Sequence, residues 1–441
     1  MTKNTMYQFL GTKFKEYIHL KRFKDTVQYN LDYTNETDSL EQFYDDFLKN
    51  HLSNRKSLDK IFFENILYGQ LKNVFSFQLA ANPSLDAQNF QISMQKLIET
   101  LNKNKVSQTV YEQMSDEGFY LMESLNITKI GSKFLAGFDF TKTPDNKIET
   151  ARFLIVQVVP LKDRSTPGYF IGGVDVNYTE NTCLIMIKNI TSKINKKYED
   201  TSETHDEPID TLTNFLNYIK DLLFPKLGIT YINDTKKDRQ AMFNMCKELD
   251  TSLLHDLRDE VDRRVKIEQD GTIPIELAKT TILTNLFPKS ITLSQTELLN
   301  FSNRLDALVL ATYINKMVED DELVSLAKLK GLVGFPTKIS FKSDTSAKGA
   351  TGTSGKECPI ASSVMFHSLY TDLQSALELP QWSVSWFNDH GHADITDTEV
   401  VPTTIISTNT YLQITFRNTS KFLNKELIYH VIKTINRYRS E

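Results

Sequence analysis

The sequence predicts an α+β protein with an N-terminal mixed domain built on an antiparallel sheet, a helical middle and a small α+β C-terminal part. Between Phe134 and Ile190, three apolar runs separated by turn residues are typical of neighbouring strands: FLAGFDF, RFLIVQVVPL and TCLIMIKNI. From Pro208 to about Lys330 the apolar residues recur at helical spacing, and short strand-like segments return after Gly331. We therefore expect domains at 1–200, 201–330 and 331–441, since 441 residues exceed one ordinary core.

The first domain is expected to centre on RFLIVQVVPL, because this run is apolar on nearly both faces and such strands lie inside a sheet. TVQYNLDY, near the N-terminus, alternates as a strand does. Ser39 and Gln42 form a capping-box pattern at the start of a helix, SLEQFYDDFLKNHL. Further helices are predicted at 61–77 and 90–101.

The helical middle contains a regular apolar stripe, made of Met242, Met245, Leu249, Leu253, Leu257, Val261 and Val265. This face predicts either core packing or a seam for a partner helix. Ser294 and Glu297 form a second capping-box pattern before another long helix. From these helices we expect a homodimer or a complex with a protein partner.

The last domain contains the strand-like segments KISFK, WSVSWF, TTIIST and YLQITF, and a terminal helix. The small residues of SDTSAKGATGTSGKE predict a mobile loop. This loop lacks a phosphate-binding motif, because Ala350 occupies the position of the required first glycine and Glu357 that of the hydroxyl residue.

Composition indicates an ordinary globular protein, with 40% hydrophobic and 24% charged residues and a formal net charge of -5. Without a long apolar run or a signal-peptide core, the sequence predicts a cytoplasmic protein and no membrane partner. Cys183, Cys246 and Cys358 are far apart and odd in number, as expected of reduced thiols. No cofactor is predicted.

One short motif resembles a metal site. His390, His392 and Asp394 alternate within HGHAD, and two imidazoles and a carboxylate can converge on zinc from a turn. Ile395 stands where metallo-hydrolases with an HxHxDH motif have a further histidine. The alternative is a polar turn between two strands.

Two groups of basic residues are candidate DNA contacts that would bind phosphates without reading sequence. They are Lys421, Lys425, Lys433, Arg437 and Arg439 on the terminal helix, and Arg263, Arg264 and Lys266 in the helical middle. The alternative is the charged outer face of an ordinary surface helix. An N-terminal run that includes Lys13 is interpreted as a solvated face beside a small core.

The order of these segments resembles the nucleoid-associated protein family of the NdpA type, over about Tyr7 to Phe341. The similarity lies in TVQYNLDY, in the helix end FLKNHL with His51, in FQISMQKLIETL and GFYLM, in the strand that ends at Lys162, and in LNYIKDLLFPKLG and KISFK. The resemblance implies a cytoplasmic protein associated with bacterial DNA at the nucleoid, with no enzymatic activity and no catalytic residues.

Three functions therefore remain open. The first is a non-enzymatic, sequence-independent, dimeric DNA-binding protein, which the resemblance and the basic residues favour. The second is an interaction subunit of a larger assembly, such as an antiviral defence complex, with the Met242 to Val265 face as its seam. The third is a metal-dependent hydrolase or nuclease that uses the turn from His390 to Asp394; a nuclease of the PD-(D/E)xK type would also need a Glu-x-Lys beside Asp175 or Glu149, and none is present.

Overall fold

The computed structural model describes residues 8–80, 85–162, 164–195, 211–232, 234–268, 271, 273–288, 290–342, 348–353, 357–376, 378–417 and 423–440. Helices and antiparallel strands both contribute substantially, which confirms the predicted α+β class. The chain divides into two compact units: unit 1 comprises Met1–Asn233 with Thr419–Ile428, and unit 2 comprises Asp234–Asn418 with Tyr429–Glu441. Among the described helices, none combines the length and the apolar character needed to span a bilayer.

Unit 1 contains six helices and seven strands within its described part. The helices are α1 Leu20–Leu31, α2 Leu40–His51, α3 Arg55–Gly69, α4 Ala87–Asn102, α5 Gln108–Tyr111 and α6 Leu212–Leu223. The strands are β1 Asn73–Leu79, β2 Phe119–Tyr120, β3 Lys133–Lys142, β4 Ile148–Val159, β5 Gly168–Asn177, β6 Thr182–Ile187 and β7 Tyr231–Ile232. The strand order β2-β3-β4-β5-β6-β1 is antiparallel throughout, and β7 pairs with β1.

Strand β4 lies inside the sheet, as its sequence predicts. Val156 pairs with Phe134 of β3 on one side and with Ile171 of β5 on the other. Its residues from Ala151 to Val159 are buried, because helices cover both faces of the sheet. Apolar character on both faces is therefore explained by burial on both faces.

Strand β5 was not among the predicted apolar runs, because Gly172 and Gly173 interrupt its pattern. These two adjacent glycines face opposite sides of the sheet. A Cβ at Gly172 would lie 2.4 Å from Cδ1 of Ile219 in α6, and a Cβ at Gly173 would lie 2.2 Å from Cδ1 of Leu67 in α3. The absence of side chains thus allows one helix to pack closely on each face.

Two predictions for unit 1 are wrong. TVQYNLDY is not a strand, since Thr26 to Leu31 belong to α1. Phe23 and Val27, four residues apart, are both fully buried while Tyr29 is 89% exposed, so the helical spacing determines which side chains enter the core. The predicted helix at 61–77 ends at Gly69, and its second half forms β1, where Val74 pairs with Met186 of β6.

Unit 2 is arranged around the long helix α7 and a second antiparallel set of strands. The helices are α7 Thr235–Val265, α8 Pro274–Leu286, α9 Gln295–Met317, α10 Asp320–Leu329, α11 Val364–Ser368 and α12 Tyr370–Ser375. The strands are β8 Gly334–Lys342, β9 Lys348–Gly352, β10 Gln381–Phe387, β11 Val400–Ser407 and β12 Leu412–Phe416, in the order β12-β11-β10-β8-β9. The terminal helix α13, Lys425–Ser440, has its first turn in unit 1 and the remainder in unit 2.

The apolar stripe of α7 packs within its own unit. Leu253, Leu254 and Val261 are buried in a cluster with residues of α9, α10 and β8. The predicted seam from Met242 to Val265 is therefore core, and the partner-helix alternative for this face is wrong. The capping box of Ser294 and Glu297 is confirmed at the start of α9.

The predicted mobile loop is also partly wrong. Residues 348–352 form β9, in which Thr351 pairs with Ile339 of β8. Small residues are needed there because a Cβ at Gly349 would lie 2.5 Å from Cζ of Phe341. Residues 343–347 and 354–356 of the same segment lie outside the described residues.

The two compact units have boundaries that differ from the predicted ones at 200 and 330. Helix α6 belongs to unit 1 because Phe215 packs against Phe170 of β5, with ring centroids 4.4 Å apart. Helix α7 and strand β8 both belong to unit 2 because they contribute to one apolar core. Cys183, Cys246 and Cys358 are unpaired, as expected.

We predict that Gly172→Ala and Gly173→Ala each lower the free energy of unfolding by about 1–3 kcal/mol, because each added methyl group overfills a packed helix–sheet contact. Urea denaturation measures the effect. Leu67→Val should partly restore the Gly173→Ala variant but not the Gly172→Ala variant, since Leu67 faces Gly173. Gly391→Ala is the control, because its nearest neighbouring atom would lie 3.9 Å from the new Cβ. Equal losses in the control would contradict this account.

The second stability prediction concerns Asp250 of α7, whose side chain is 5% exposed and lies 3.3 Å from Arg258. Burial, only partly offset by Arg258, raises the pKa of Asp250 to about 6. A raised carboxyl pKa means that stability from the protonated group is present at low pH and is lost as pH rises through about 6. Asp250→Asn should therefore gain stability relative to the unmodified protein, by about 1 kcal/mol more at about pH 7.5 than at about pH 5.

Urea denaturation at the two pH values measures this difference. Asp259→Asn, on the same helix but at an exposed position, is the control. A difference that stays constant with pH, or that grows as pH falls, would contradict the assignment of the raised pKa to Asp250.

Candidate nucleic-acid interface

Six basic side chains lie together at one edge of the unit 1 sheet. We call them the basic patch: Lys13, Lys72, Lys162, Arg164, Lys188 and Lys193. They come from four separate segments of the chain: a 3-10 turn at Thr12–Tyr17, the residue before β1, the connection from β4 to β5, and the segment after β6.

The antiparallel order brings these segments to the same edge. Strands β4 and β6 both pair with β5, so they run in the same direction and end at the same edge. Strand β1 runs opposite to β6, which places its first residue, Asn73, beside Ile187 at that edge. Lysines that precede β1 or follow β4 and β6 are therefore neighbours in the fold.

Backbone pairing beyond the strand ends fixes part of the basic patch. Leu161 forms a bridge with Ile194, and the Lys162 N–H donates to the Lys193 carbonyl at 2.9 Å. The Lys162 Nζ donates to the Ser192 carbonyl at 2.8 Å. These bonds hold the Lys162 and Lys193 backbones side by side.

Glu16 contacts two further members of the basic patch, Arg164 and Lys188. Arg164 forms an ion pair with its carboxylate. The Lys188 Nζ donates to the Glu16 carbonyl oxygen at 3.0 Å and lies 4.6 Å from the centre of the Tyr17 ring. The Lys13 Nζ donates to the Pro167 carbonyl at 2.6 Å. The side chain of Glu16 thus lies among basic side chains of the patch.

The lysines lie close enough to disfavour each other's charge. Burial, followed by the charge of Lys188, lowers the pKa of Lys72 to about 8. Burial also lowers the pKa of Lys188, where Glu16 opposes the shift and Lys193 adds to it. For Lys13, burial lowers the pKa, Glu16 opposes and Arg164 adds. Positive charge is therefore concentrated here although the whole chain has a formal charge of -5.

Exposure differs among the members of the basic patch. Lys162, Arg164 and Lys193 are exposed, Lys13 and Lys188 are half-buried, and Lys72 is only 8% exposed. The three exposed side chains can contact a ligand directly, whereas Lys72 contributes mainly through the electrostatic field. The arrangement can attract and hold an anion, and a polyanion can engage several members at once.

No family model, curated protein or solved structure matches the chain. The resemblance to the NdpA type remains an expectation, and function must be argued from the geometry.

The terminal helix supplies fewer candidate contacts than its sequence suggests. Lys421 lies outside the described residues, whereas Lys425, Lys433 and Arg437 are exposed. Arg439 is a correction: its side chain is 7% exposed and forms an ion pair with buried Asp238 at 2.7 Å. A phosphate contact by Arg439 would leave Asp238 buried and unpaired, which is costly. Its role in unit 2 is structural.

The basic residues at the end of α7 are paired with acids of the same helix. Arg263 and Arg264 both bind Glu260, at 2.6 and 2.7 Å, and Lys266 binds Asp262 at 2.6 Å. Such exposed pairs are weak and can exchange partners. The interleaved acids nevertheless dilute the positive field, so this helix end is a weaker phosphate site than the basic patch.

The HGHAD turn does not assemble the predicted metal ligands. The Asp394 carboxylate accepts hydrogen bonds from the N–H and hydroxyl of Thr396, at 2.8 and 2.6 Å. The His390 ring lies beside that of His430, with centroids 5.1 Å apart and the ring planes tilted by 32°. Within the described residues, no group of three His, Cys, Asp or Glu side chains is arranged to hold a metal ion. The described residues therefore give no support to His390, His392 and Asp394 as one metal site, and this grouping stays a prediction.

The turn has a structural explanation instead. Lys328, whose side chain is fully buried, donates to the carbonyl of Asp389 at 2.9 Å and to its carboxylate at 3.1 Å. The same carboxylate accepts the Asp394 N–H at 2.9 Å. Asp389, directly before the turn, thus compensates a buried ammonium group and holds the Asp394 backbone, as buried charges require a partner.

Two carboxylates on the strands of unit 1, Asp139 and Asp175, are likewise bound to side chains of the protein. Asp175 accepts a hydrogen bond from the Tyr68 hydroxyl at 2.6 Å. Asp139 forms a two-point ion pair with Arg152, at 2.8 and 2.5 Å. These contacts use the acids for stability, and they give no support to the hydrolase or nuclease alternative.

Sequence reasoning did not find the basic patch because its members span residues 13–193. In the sequence, Lys13 belongs to a basic run near the N-terminus, and Lys162 marks the end of a strand. A usable signal was present, however, in the lysines directly after two apolar strand runs, Lys162 and Lys188. Strands two places apart in an antiparallel meander end at the same edge.

Proposed function

We propose that the protein binds double-stranded DNA through its phosphate backbone, without sequence preference and without catalysis. The observation that carries the proposal is the basic patch, in which six basic side chains from four segments of the chain meet at a single sheet edge. Each cation that neutralises a phosphate releases condensed counterions, so several contacts together give useful affinity.

The composition of the basic patch supports binding without base reading. Five of its six cations are lysines, which act as point charges, whereas base recognition usually relies on the planar fork of arginine or on amide side chains. Contacts of this kind determine the position of a protein on the duplex and carry no direct sequence information.

The aromatic residues beneath the basic patch favour a duplex over a single strand as the ligand. Tyr17 and Tyr169 lie beneath Lys188 and Lys13, but both rings are 3% exposed. Proteins that bind single strands generally stack bases on accessible aromatic rings. Buried tyrosines cannot provide such stacking, so phosphates remain the natural target.

This proposal includes the cytoplasmic, nucleoid-associated role that the resemblance implies. Our second proposal is that the protein forms a homodimer or binds a protein partner. Binding to a partner would fit an interaction subunit of an antiviral defence complex. It is favoured by a different observation, the exposed leucines and isoleucines of α8 and α9.

The first test reverses the exposed charges of the basic patch. In the triple variant Lys162→Glu, Arg164→Glu, Lys193→Glu, duplex affinity should fall at least about tenfold, and the slope of log affinity against log salt should fall by about 2–3. Fluorescence anisotropy with a duplex, a single strand and RNA at several salt concentrations measures both quantities.

The matched control changes the same number of charges elsewhere, in Arg263→Glu, Arg264→Glu, Lys266→Glu. Its affinity should fall much less if the basic patch is the contact surface. Equal losses in the two triple variants would show a non-specific charge effect. Absence of duplex binding by the unmodified protein at low salt would overturn the proposal, and cleavage of the probe would contradict its non-enzymatic part.

The second test uses the lowered pKa of Lys72. Because this pKa is about 8, the free protein loses the proton as pH rises through that value, whereas nearby phosphates favour the charged form. Binding should therefore take up protons, and affinity should fall by up to about tenfold between about pH 7 and about pH 9.

Lys72→Met should reduce that fall by removing the titrating group, leaving the smaller contribution of Lys188. Lys433→Met, outside the basic patch, should retain the full dependence. A pH-independent affinity in the unmodified protein, or an unchanged dependence in Lys72→Met, would contradict this role for Lys72.

A further inference from the structure

Five of the fourteen large apolar side chains that are exposed in the described part of unit 2 belong to one end of helices α8 and α9. We define the helical tip as Ile282, Leu286, Ile291, Leu298 and Leu299, which are 43%, 62%, 51%, 40% and 60% exposed. Scattered surface leucines are normal, but a contiguous group of large aliphatic residues indicates an interaction site.

The five residues lie at the same end of the helix pair. Lys279 of α8 contacts Asp306 of α9 at 3.1 Å. Leu286 lies seven residues after Lys279, and Leu299 lies seven residues before Asp306, so each is about two helical turns beyond the contact. A short connection that contains Ile291 joins the two helices at this end.

Each helix carries an apolar face that is covered along only part of its length. In α8, Ile275 and Lys279 are buried, whereas Ile282 and Leu286 continue the same face and are exposed. In α9, Leu310 is buried, whereas Leu299, three turns earlier on that face, is exposed. A helix of about 13 residues is marginal in water without packing, so the uncovered turns of α8 need a partner surface.

We infer that the helical tip pairs with the helical tip of a second copy of this chain, forming a two-fold dimer. Together, the exposed surface of these five residues equals that of about two and a half fully exposed residues. This corresponds to apolar area on the order of 450 Å², within the range of functional surface patches. A standard interface buries about 800 Å² per partner, of which roughly 450–520 Å² is apolar.

The charge of the helical tip permits contact with an identical surface. Two equal patches of strong charge would repel each other, whereas a neutral patch can be self-complementary. Glu297, the charged side chain described there, is directed back to Ser294, whose N–H and hydroxyl both donate to it at 2.7 Å. The helical tip is independent of the basic patch, so the dimer does not rest on the proposed DNA binding.

Sedimentation velocity over a concentration series tests the dimer with the full chain. The unmodified protein should sediment as a dimer, and Leu286→Glu and Leu299→Glu should each weaken dimerisation at least about tenfold by burying a charge at the contact. Leu52→Glu is the matched control, because Leu52 is 67% exposed and lies in unit 1. Circular dichroism and thermal melts establish that each variant is folded.

Hydrogen exchange provides a measurement that does not depend on substitutions. Amides of α8 and the start of α9 should become more protected as the concentration of the unmodified protein rises. The inference would be overturned if the unmodified chain remained monomeric. The same holds if the monomer bound a different protein through the helical tip. Dimers that persist in both glutamate variants would also overturn it. If the glutamate variants lose the dimer but still bind DNA, the two proposals are independent. If they keep the dimer but lose DNA binding, only the dimer inference fails.

Discussion

Close packing across strand β5 is the constraint on which the geometry of unit 1 depends. Gly172 admits Ile219 of α6 on one face, and Gly173 admits Leu67 of α3 on the other. Because both helices approach so closely, β5 is held between them and β4 and β6 align on either side. That alignment places the residues after β4 and β6 at one edge, where the lysines of the basic patch meet. The candidate interface thus follows from two residues that carry no side chain.

Cations in this protein serve two purposes that sequence alone does not distinguish. Arg152, Lys328 and Arg439 are buried and bind Asp139, Asp389 and Asp238 within the fold. Among the exposed members of the basic patch, Arg164 pairs with exposed Glu16 and Lys162 donates to a backbone carbonyl. A lysine or arginine looks the same in the sequence in both settings, because its partner is distant along the chain. For this reason the sequence predicts Arg439 as a surface contact and does not reveal the basic patch.

Much of the fold could nevertheless be predicted from local patterns. Helical spacing identified α2, α4, α7 and α9, and apolar runs identified β3, β4 and β6, since each pattern reflects burial along a single element. Local patterns failed where the environment decided the outcome. Val27 and Tyr29 alternate as in a strand, yet packing of Phe23 and Val27 makes the segment a helix. Gly172 and Gly173 interrupt the apolar pattern of β5, so the sequence does not predict this strand. The HGHAD turn resembles a metal site because Lys328, which contacts Asp389 beside it, is far away in sequence.

The edge location of the basic patch has a consequence for protein synthesis. Its members extend from Lys13 to Lys193, and they become neighbours only after β6 has paired with both β5 and β1. A fragment that ends before β6 therefore contains only Lys13, Lys72, Lys162 and Arg164 of the basic patch, and it lacks the combined field of all six side chains. Capture of a polyanion would be reserved for molecules whose first unit is completely made and folded.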